Sequence, residues 1–203
     1  MQKRLNLIIV ILIVLLLSVL GYYLYSTNKS NIQQPKEVQI KVENKETGLF
    51  PPIDAEFSFQ TIDEVDFRLK ASDKKIEIDG LKDKIVFLKI FGWDCQYCKK
   101  EMPELINLKK ELGNTFEVIA IEAQLHSKEE SKAYVNKYGI NYNIVEGAVQ
   151  TRFYSYLKAH YGWSGIIPLT IVLGKGGNIL AFEEGAKSYT LSELMKASIA
   201  REK

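Results

Sequence analysis

Cys95 and Cys98 are the only cysteines of the chain. They stand in the segment Phe91-Gly92-Trp93-Asp94-Cys95-Gln96-Tyr97-Cys98-Lys99-Lys100-Glu101-Met102-Pro103. Two thiols three positions apart, where a strand passes into a helix, form a redox arrangement. The first sits where free helix N–H groups and the macrodipole stabilise a thiolate. The second lies about one turn further on, close enough to close a small disulfide ring. Cys95 would attack a partner disulfide, and Cys98 would then attack the mixed disulfide and release the reduced partner. Two other readings stand beside this one. A Cys/His metal site needs two more ligands, and the only histidines, His126 and His160, are far away in sequence; they read as surface or capping residues. A purely structural disulfide closing so short a loop would gain little entropic stability. Two cysteines exclude a disulfide-stapled miniprotein and an all-cysteine zinc cage.

The pair needs a scaffold, and the pattern from about residue 50 supplies one. Ile76–Ile78 reads as a short alternating strand, and the apolar run Ile85–Phe91 as a central strand covered on both faces. A helix follows over Cys95–Leu112 with Gly113 as its stop, then a buried strand over Phe116–Glu122. Ser127 and Glu130 form a capping box opening a helix that ends near Gly139. A weaker strand lies around Ile144-Val145, and a further helix runs from about Val149 to Tyr161. Leu169–Leu173 and Ile179–Phe182 make a hairpin across the glycine-rich 174–177 turn, and Thr190 with Glu193 caps the last helix. This order indicates a three-layer α/β domain over 50–203.

The amino-terminal part is of another kind. From Leu5 to Tyr25 only Asn6, Ser18 and Gly21 interrupt the apolar run, so 18 of 21 residues are hydrophobic. As a helix this segment spans roughly 30 Å, the thickness of a bilayer's hydrocarbon core. Lys3 and Arg4 before it predict a cytoplasmic N-terminus. A cleaved signal peptide is the competing reading, but Tyr-Tyr-Leu-Tyr-Ser-Thr-Asn after Gly21 has no A-x-A pattern. The organisation expected is a cytoplasmic tip and single-pass transmembrane anchor over 1–25, a polar stalk over 26–49, and an extracytoplasmic domain. Lys3, Arg4 and Lys29 are the only charges before residue 31, and with +2 overall the remainder sums to −1. That balance gives no support for nucleic-acid binding.

The outer domain resembles the thioredoxin fold and, within it, the membrane-anchored TlpA/ResA-type thiol–disulfide oxidoreductases. The resemblance covers about residues 52–200. It rests on the apolar strand leading into C-x-x-C-x-x-E-x-P (Cys95, Cys98, Glu101, Pro103), on Ile166-Ile167-Pro168 before a strand, and on the glycine-rich hairpin. It implies a mixed central sheet and a cis bond at Pro168, with the Ile167 backbone exposed as a docking edge for an extended substrate. It also implies that Glu101 helps move the proton of Cys98. No cofactor or metal is called for.

This chain departs from that family in several places. Asp94 precedes Cys95 where relatives often carry tryptophan, and a carboxylate there disfavours the neighbouring thiolate. Trp93 stands one position earlier and, with Phe91, Tyr97 and Trp163, is a candidate for an apolar substrate platform, at least half of these four being expected in the core instead. Gln96-Tyr97 lacks the family's usual proline. Lys89 interrupts the apolar strand six residues before Cys95. A buried lysine needs a partner, so pairing with Glu101 beneath the site is expected, against the alternatives of a surface-facing or snorkelling side chain.

The function expected is a membrane-tethered, extracytoplasmic thiol–disulfide oxidoreductase working as a reductase. Its substrate would be a disulfide-containing envelope protein such as apocytochrome c, and its electrons would come from a DsbD/CcdA-type membrane thiol donor. A copper(I) chaperone is the alternative from another class, although such proteins on this fold use a wider cysteine spacing. A disulfide-forming oxidase is the third.

Overall fold

The structure, a computed structural model, describes residues 50–201 together with Leu16 and Ser18. Apart from those two residues, the expected anchor (1–25) and stalk (26–49) lie outside the described residues. Among the described residues no helix is long and apolar enough to cross a membrane.

The elements run β1 (Ala55–Gln60), β2 (Asp66–Ser72), β3 (Lys75–Ile78), β4 (Ile85–Phe91), α1 (Gln96–Leu112), β5 (Phe116–Glu122), α2 (Lys128–Tyr138), β6 (Asn143–Glu146), α3 (Thr151–Tyr161), β7 (Leu169–Leu173), β8 (Ile179–Glu184) and α4 (Leu191–Ala200). The main sheet has the order β6-β5-β4-β7-β8. β4, β5 and β6 are parallel, and β7 and β8 join antiparallel, so the sheet is mixed as expected. Every residue of central β4 is buried, which is why its sequence is a continuous apolar run rather than an alternating one.

Strand periodicity distributes β4 between two cores. Val86, Leu88 and Ile90 pack on one side with Phe153, Tyr156 and Leu157 of α3. Ile85, Phe87 and Phe91 pack on the other with Met102, Leu105 and Leu108 of α1 and Leu194 and Met195 of α4. Lys89 has the parity of the second set, so its strand delivers it to the α1 side.

The first core is closed by a separate antiparallel sheet, β1-β2-β3, of which only the third strand was legible from the sequence. Phe57 and Phe59 on the inward face of β1 meet Phe153 edge-on, with ring centroids 5.1 and 5.0 Å away.

Both expected capping boxes are present. At α2, Ser127 Oγ accepts from Glu130 N at 3.2 Å, and Glu130 Oε2 accepts from Ser127 N at 2.9 Å. Ser127→Ala should therefore lower stability by about 1 kcal/mol, read as a shift in the urea midpoint at unchanged slope.

Candidate active site

β4 ends at Phe91, and a three-residue turn carries the chain to Cys95, the N-cap of α1. The Cys98 N–H donates to Cys95 Sγ at 3.1 Å. The two sulfurs form a disulfide, so the oxidised pair is what the structure shows. Cys95 is half-buried, while Cys98 is 3% exposed beneath it. β7 runs antiparallel beside β4 with Ile90 opposite Leu169, and this register brings the residues just before β7 alongside the cysteines. The Ile167–Pro168 bond is cis, and Cys95 Sγ lies 4.0 Å from the Ile167 carbonyl oxygen.

Below the disulfide is a buried charge cluster. Glu101, three residues after Cys98, shares the buried face of α1. Lys89 Nζ donates to Glu101 Oε2 at 2.7 Å and to Thr170 Oγ1 at 2.6 Å; Thr170 is the cross-strand neighbour of Lys89. The expected pair is thus formed, and Lys89, 1% exposed, neither faces solvent nor snorkels. Burial pushes its ammonium down to about 8, against the upward pull of Glu101. Lys187, from the loop after β8, was not foreseen. It donates to the other carboxylate oxygen, Glu101 Oε1, and to Gly185 O, both at 3.1 Å. Glu101 therefore holds one lysine on each oxygen. A cleft of ≈ 210 Å³ bordered by Tyr97, Lys100, Lys187 and Tyr189 reaches this carboxylate from outside.

A second polar group flanks the turn before Cys95. Glu122 at the end of β5 is buried, and its carboxylate accepts from Gln124 N at 2.9 Å and His126 N at 3.0 Å. It also lies 3.2 Å from His126 Nδ1, and His126 Nε2 lies 3.2 Å from Asp94 Oδ2. Gln124 Oε1 accepts from Asp94 N at 2.7 Å. Position 92 must be glycine for this packing, since a Cβ there would stand 2.2 Å from the Gln124 side chain. His126 is therefore a neighbour of the cysteine turn, which its distance in sequence concealed.

Trp93 requires a correction. It is fully buried, its Nε1 donates to Ser131 Oγ at 3.1 Å, and its ring stacks on Tyr134 at 5.0 Å. It ties the turn to α2 and offers no surface to a substrate. Phe91 and Trp163 are buried as well. The large apolar side chains left exposed at this end include Tyr97, next to Cys98, and Ile166, two residues before Pro168, together with Leu125 of the loop after β5 and Tyr189 at the cleft. Among the described residues no group of three or more His, Cys, Asp or Glu side chains is arranged to hold a metal ion.

The AhpC/TSA family model matches residues 63–182, a stretch that includes the cysteine pair, Glu101, His126 and Pro168. Among curated proteins, the thiol-disulfide oxidoreductase ResA of Bacillus thuringiensis is 34% identical over 110 residues, covering 53% of this chain and 58% of that protein. The chain thus spans less than two thirds of the length of this relative. Among solved structures, a putative thioredoxin from Neisseria meningitidis superposes with a TM-score of 0.56 at 19% identity, covering 73% of this chain and 90% of that one. StoA from Bacillus subtilis gives 0.53 at 17% identity, covering 73% and 99%. At these identities the likeness is one of fold: the domain is thioredoxin-like.

Proposed function

The chain belongs to the AhpC/TSA family, and from that premise we propose that it is a thiol–disulfide oxidoreductase with Cys95 as the attacking sulfur and Cys98 as the resolving one. The observation that carries this reading is the asymmetry of the pair. Cys95 caps the helix, receives the Cys98 N–H and lies beside the Ile167 carbonyl, whereas Cys98 is buried behind it. In the reduced protein the Cys95 thiolate attacks one sulfur of a substrate disulfide. The substrate S–S bond breaks, a mixed disulfide forms, and the departing thiolate takes a proton. Cys98, having given up its proton, attacks Cys95 Sγ, and the second substrate sulfur leaves as a thiol. The substrate gains two electrons and two protons, and the enzyme ends as the Cys95–Cys98 disulfide. A dithiol donor must then return it to the reduced form.

The other roles follow from position. The Ile167 backbone, set by Pro168, is the edge along which an extended substrate segment lies, with Tyr97 and Ile166 as its apolar flanks. Glu101 and its two lysines form the polar floor through which the Cys98 proton leaves, with the cleft at Tyr97 and Lys187 as the exit to water.

The physiological setting is part of the same proposal. The apolar run Leu5–Tyr25 behind Lys3 and Arg4 supports a single-pass anchor with the domain outside the cytoplasm. In an oxidising compartment such a protein acts as a reductase only if a membrane thiol donor of the DsbD/CcdA type supplies it, and oxidised envelope proteins, apocytochrome c among them, are its substrates. The full-length Cys98→Ser variant in its native membrane tests this. It should stall as a mixed disulfide through Cys95, released by dithiothreitol, with mass spectrometry identifying the partner. Failure to capture any protein through Cys95 would overturn the reading.

A further inference from the structure

The exchange chemistry leaves Asp94, Glu122 and His126 without a task. Glu122 is a buried carboxylate whose ring partner is His126, and the far nitrogen of that ring meets Asp94. Asp94 is the residue directly before the attacking cysteine, and its side chain is 62% exposed. A carboxylate in that position opposes the formation of a thiolate next to it. The helix N-terminus and the Cys98 N–H favour the thiolate. The two influences conflict unless something offsets the carboxylate.

We infer that His126 is a positioning residue for Cys95: anchored on Glu122, it binds the Asp94 carboxylate and offsets that charge at the attacking sulfur. This deepens the oxidoreductase reading and rests on it. Both ring nitrogens face carboxylate oxygens at 3.2 Å. Two carboxylates can be served at once only by the doubly protonated ring, because the neutral imidazole has a single N–H. As imidazolium the ring lowers the summed charge of Asp94, His126 and Glu122 from −2 to −1, which weakens the field that Asp94 sets against the Cys95 thiolate.

The surroundings fix this arrangement from every side. β5 supplies Glu122, which also holds the His126 backbone N–H. The turn before α1 supplies Asp94, whose own N–H is held by Gln124 of the loop after β5. From α2 come Tyr134, edge-on to the imidazole at 5.6 Å, and Glu130, which feels the ring's charge in addition to its bonds with Ser127. A ring serving only to close the 122–127 loop would have no need of Asp94, which lies outside that loop.

The test uses the full-length chain carrying Cys98→Ser, so that Cys95 is the sole thiol, and follows its alkylation by iodoacetamide as a function of pH. At about pH 6, below the usual thiol range, His126→Gln should slow alkylation by about threefold to tenfold. Asp94→Asn, a change at an exposed side chain that leaves folding intact, should speed it by a similar factor. The double variant removes both charges and should return to within about twofold of the parent. A His126 that carries no charge to the site would leave His126→Gln alkylating at the parent's rate, and that result overturns the inference. So does an Asp94→Asn rate equal to the parent's. Alkylation needs no partner protein, so these rates judge His126 separately from the oxidoreductase reading, which the capture experiment judges.

Discussion

Cys95→Ser is expected to lower disulfide exchange by about three orders of magnitude or more, because a hydroxyl is not ionised at neutral pH and only the anion attacks sulfur. The second thiol cannot take over. Cys98 is 3% exposed and lies under the helix N-terminus, so a bulky disulfide does not reach it. The serine variant should therefore show neither turnover nor a trapped partner when insulin disulfides are offered with a dithiol donor. Cys98→Ser behaves differently. It keeps the first attack and loses the second, giving a mixed disulfide in place of product. The contrast between the two variants is the strongest expression of the burial difference between the sulfurs. Turnover retained in Cys95→Ser would reverse the assignment of attacking and resolving roles.

What the sequence made legible follows the range of the interactions concerned. The main strands and helices were readable because their signals are local: seven consecutive buried residues in β4, capping boxes within four residues, glycine stops. The C-x-x-C at the start of α1 belongs with them. β1 and β2 were missed although Phe57-Ser58-Phe59 and Phe67-Arg68-Leu69 alternate cleanly, with every second side chain inward. Each strand is short, β2 carries three charges in seven residues, and what makes them a sheet is a partner strand and the α3 aromatics about ninety residues later. Trp93 was misplaced for a related reason. Its nearness to Cys95 in sequence suggested nearness to substrate, but the turn sends its ring towards α2, where Ser131 and Tyr134 receive it.

The site divides in the same way. Lys89 with Glu101 was legible because an interior lysine demands a counter-charge and one end of α1 offered it. Lys187 was not, since it lies 86 residues from Glu101 and is placed by the loop that follows β8. His126 stayed hidden because β5 had first to be laid parallel to β4, with Glu122 opposite Phe91. Only then does the loop after β5 fall beside the turn before Cys95. In both cases the residue type carried no local pattern, and the sheet register alone created the contact.

Loss of the Glu101 carboxylate should be the most destabilising change at the site's floor. Glu101→Leu strands two ammonium groups whose nitrogens are 2.7 and 3.1 Å from its oxygens, and breaking a buried pair on one side costs about 3–5 kcal/mol. Lys187 can turn outward along the cleft, but Lys89 in the middle of β4 cannot. Most of the loss should therefore disappear in Lys89→Met/Glu101→Leu, where a flexible apolar side chain fills the space and no charge is stranded.

The pH dependence gives an independent reading of the same cluster. Burial holds Lys89 at about 8 in the folded protein, against the usual 10.5. Between those values the unfolded chain binds the proton and the folded one has released it, so stability rises with pH through that window and is lost as pH falls through 8. The gain should be on the order of 2 kcal/mol between about pH 8 and 10. Above that, Tyr142 and Tyr154 reverse the trend. Burial raises their phenols well above the usual range, so the unfolded tyrosines ionise first and the folded state loses ground. Lys89→Met should abolish the rise between pH 8 and 10 and keep the fall above it. In Glu101→Leu the rise should begin at lower pH, because the carboxylate that lifts Lys89 is gone. Urea unfolding at intervals across this range measures all three proteins, and a Lys89→Met slope equal to the parent's would show that the buried ammonium is not the group responsible.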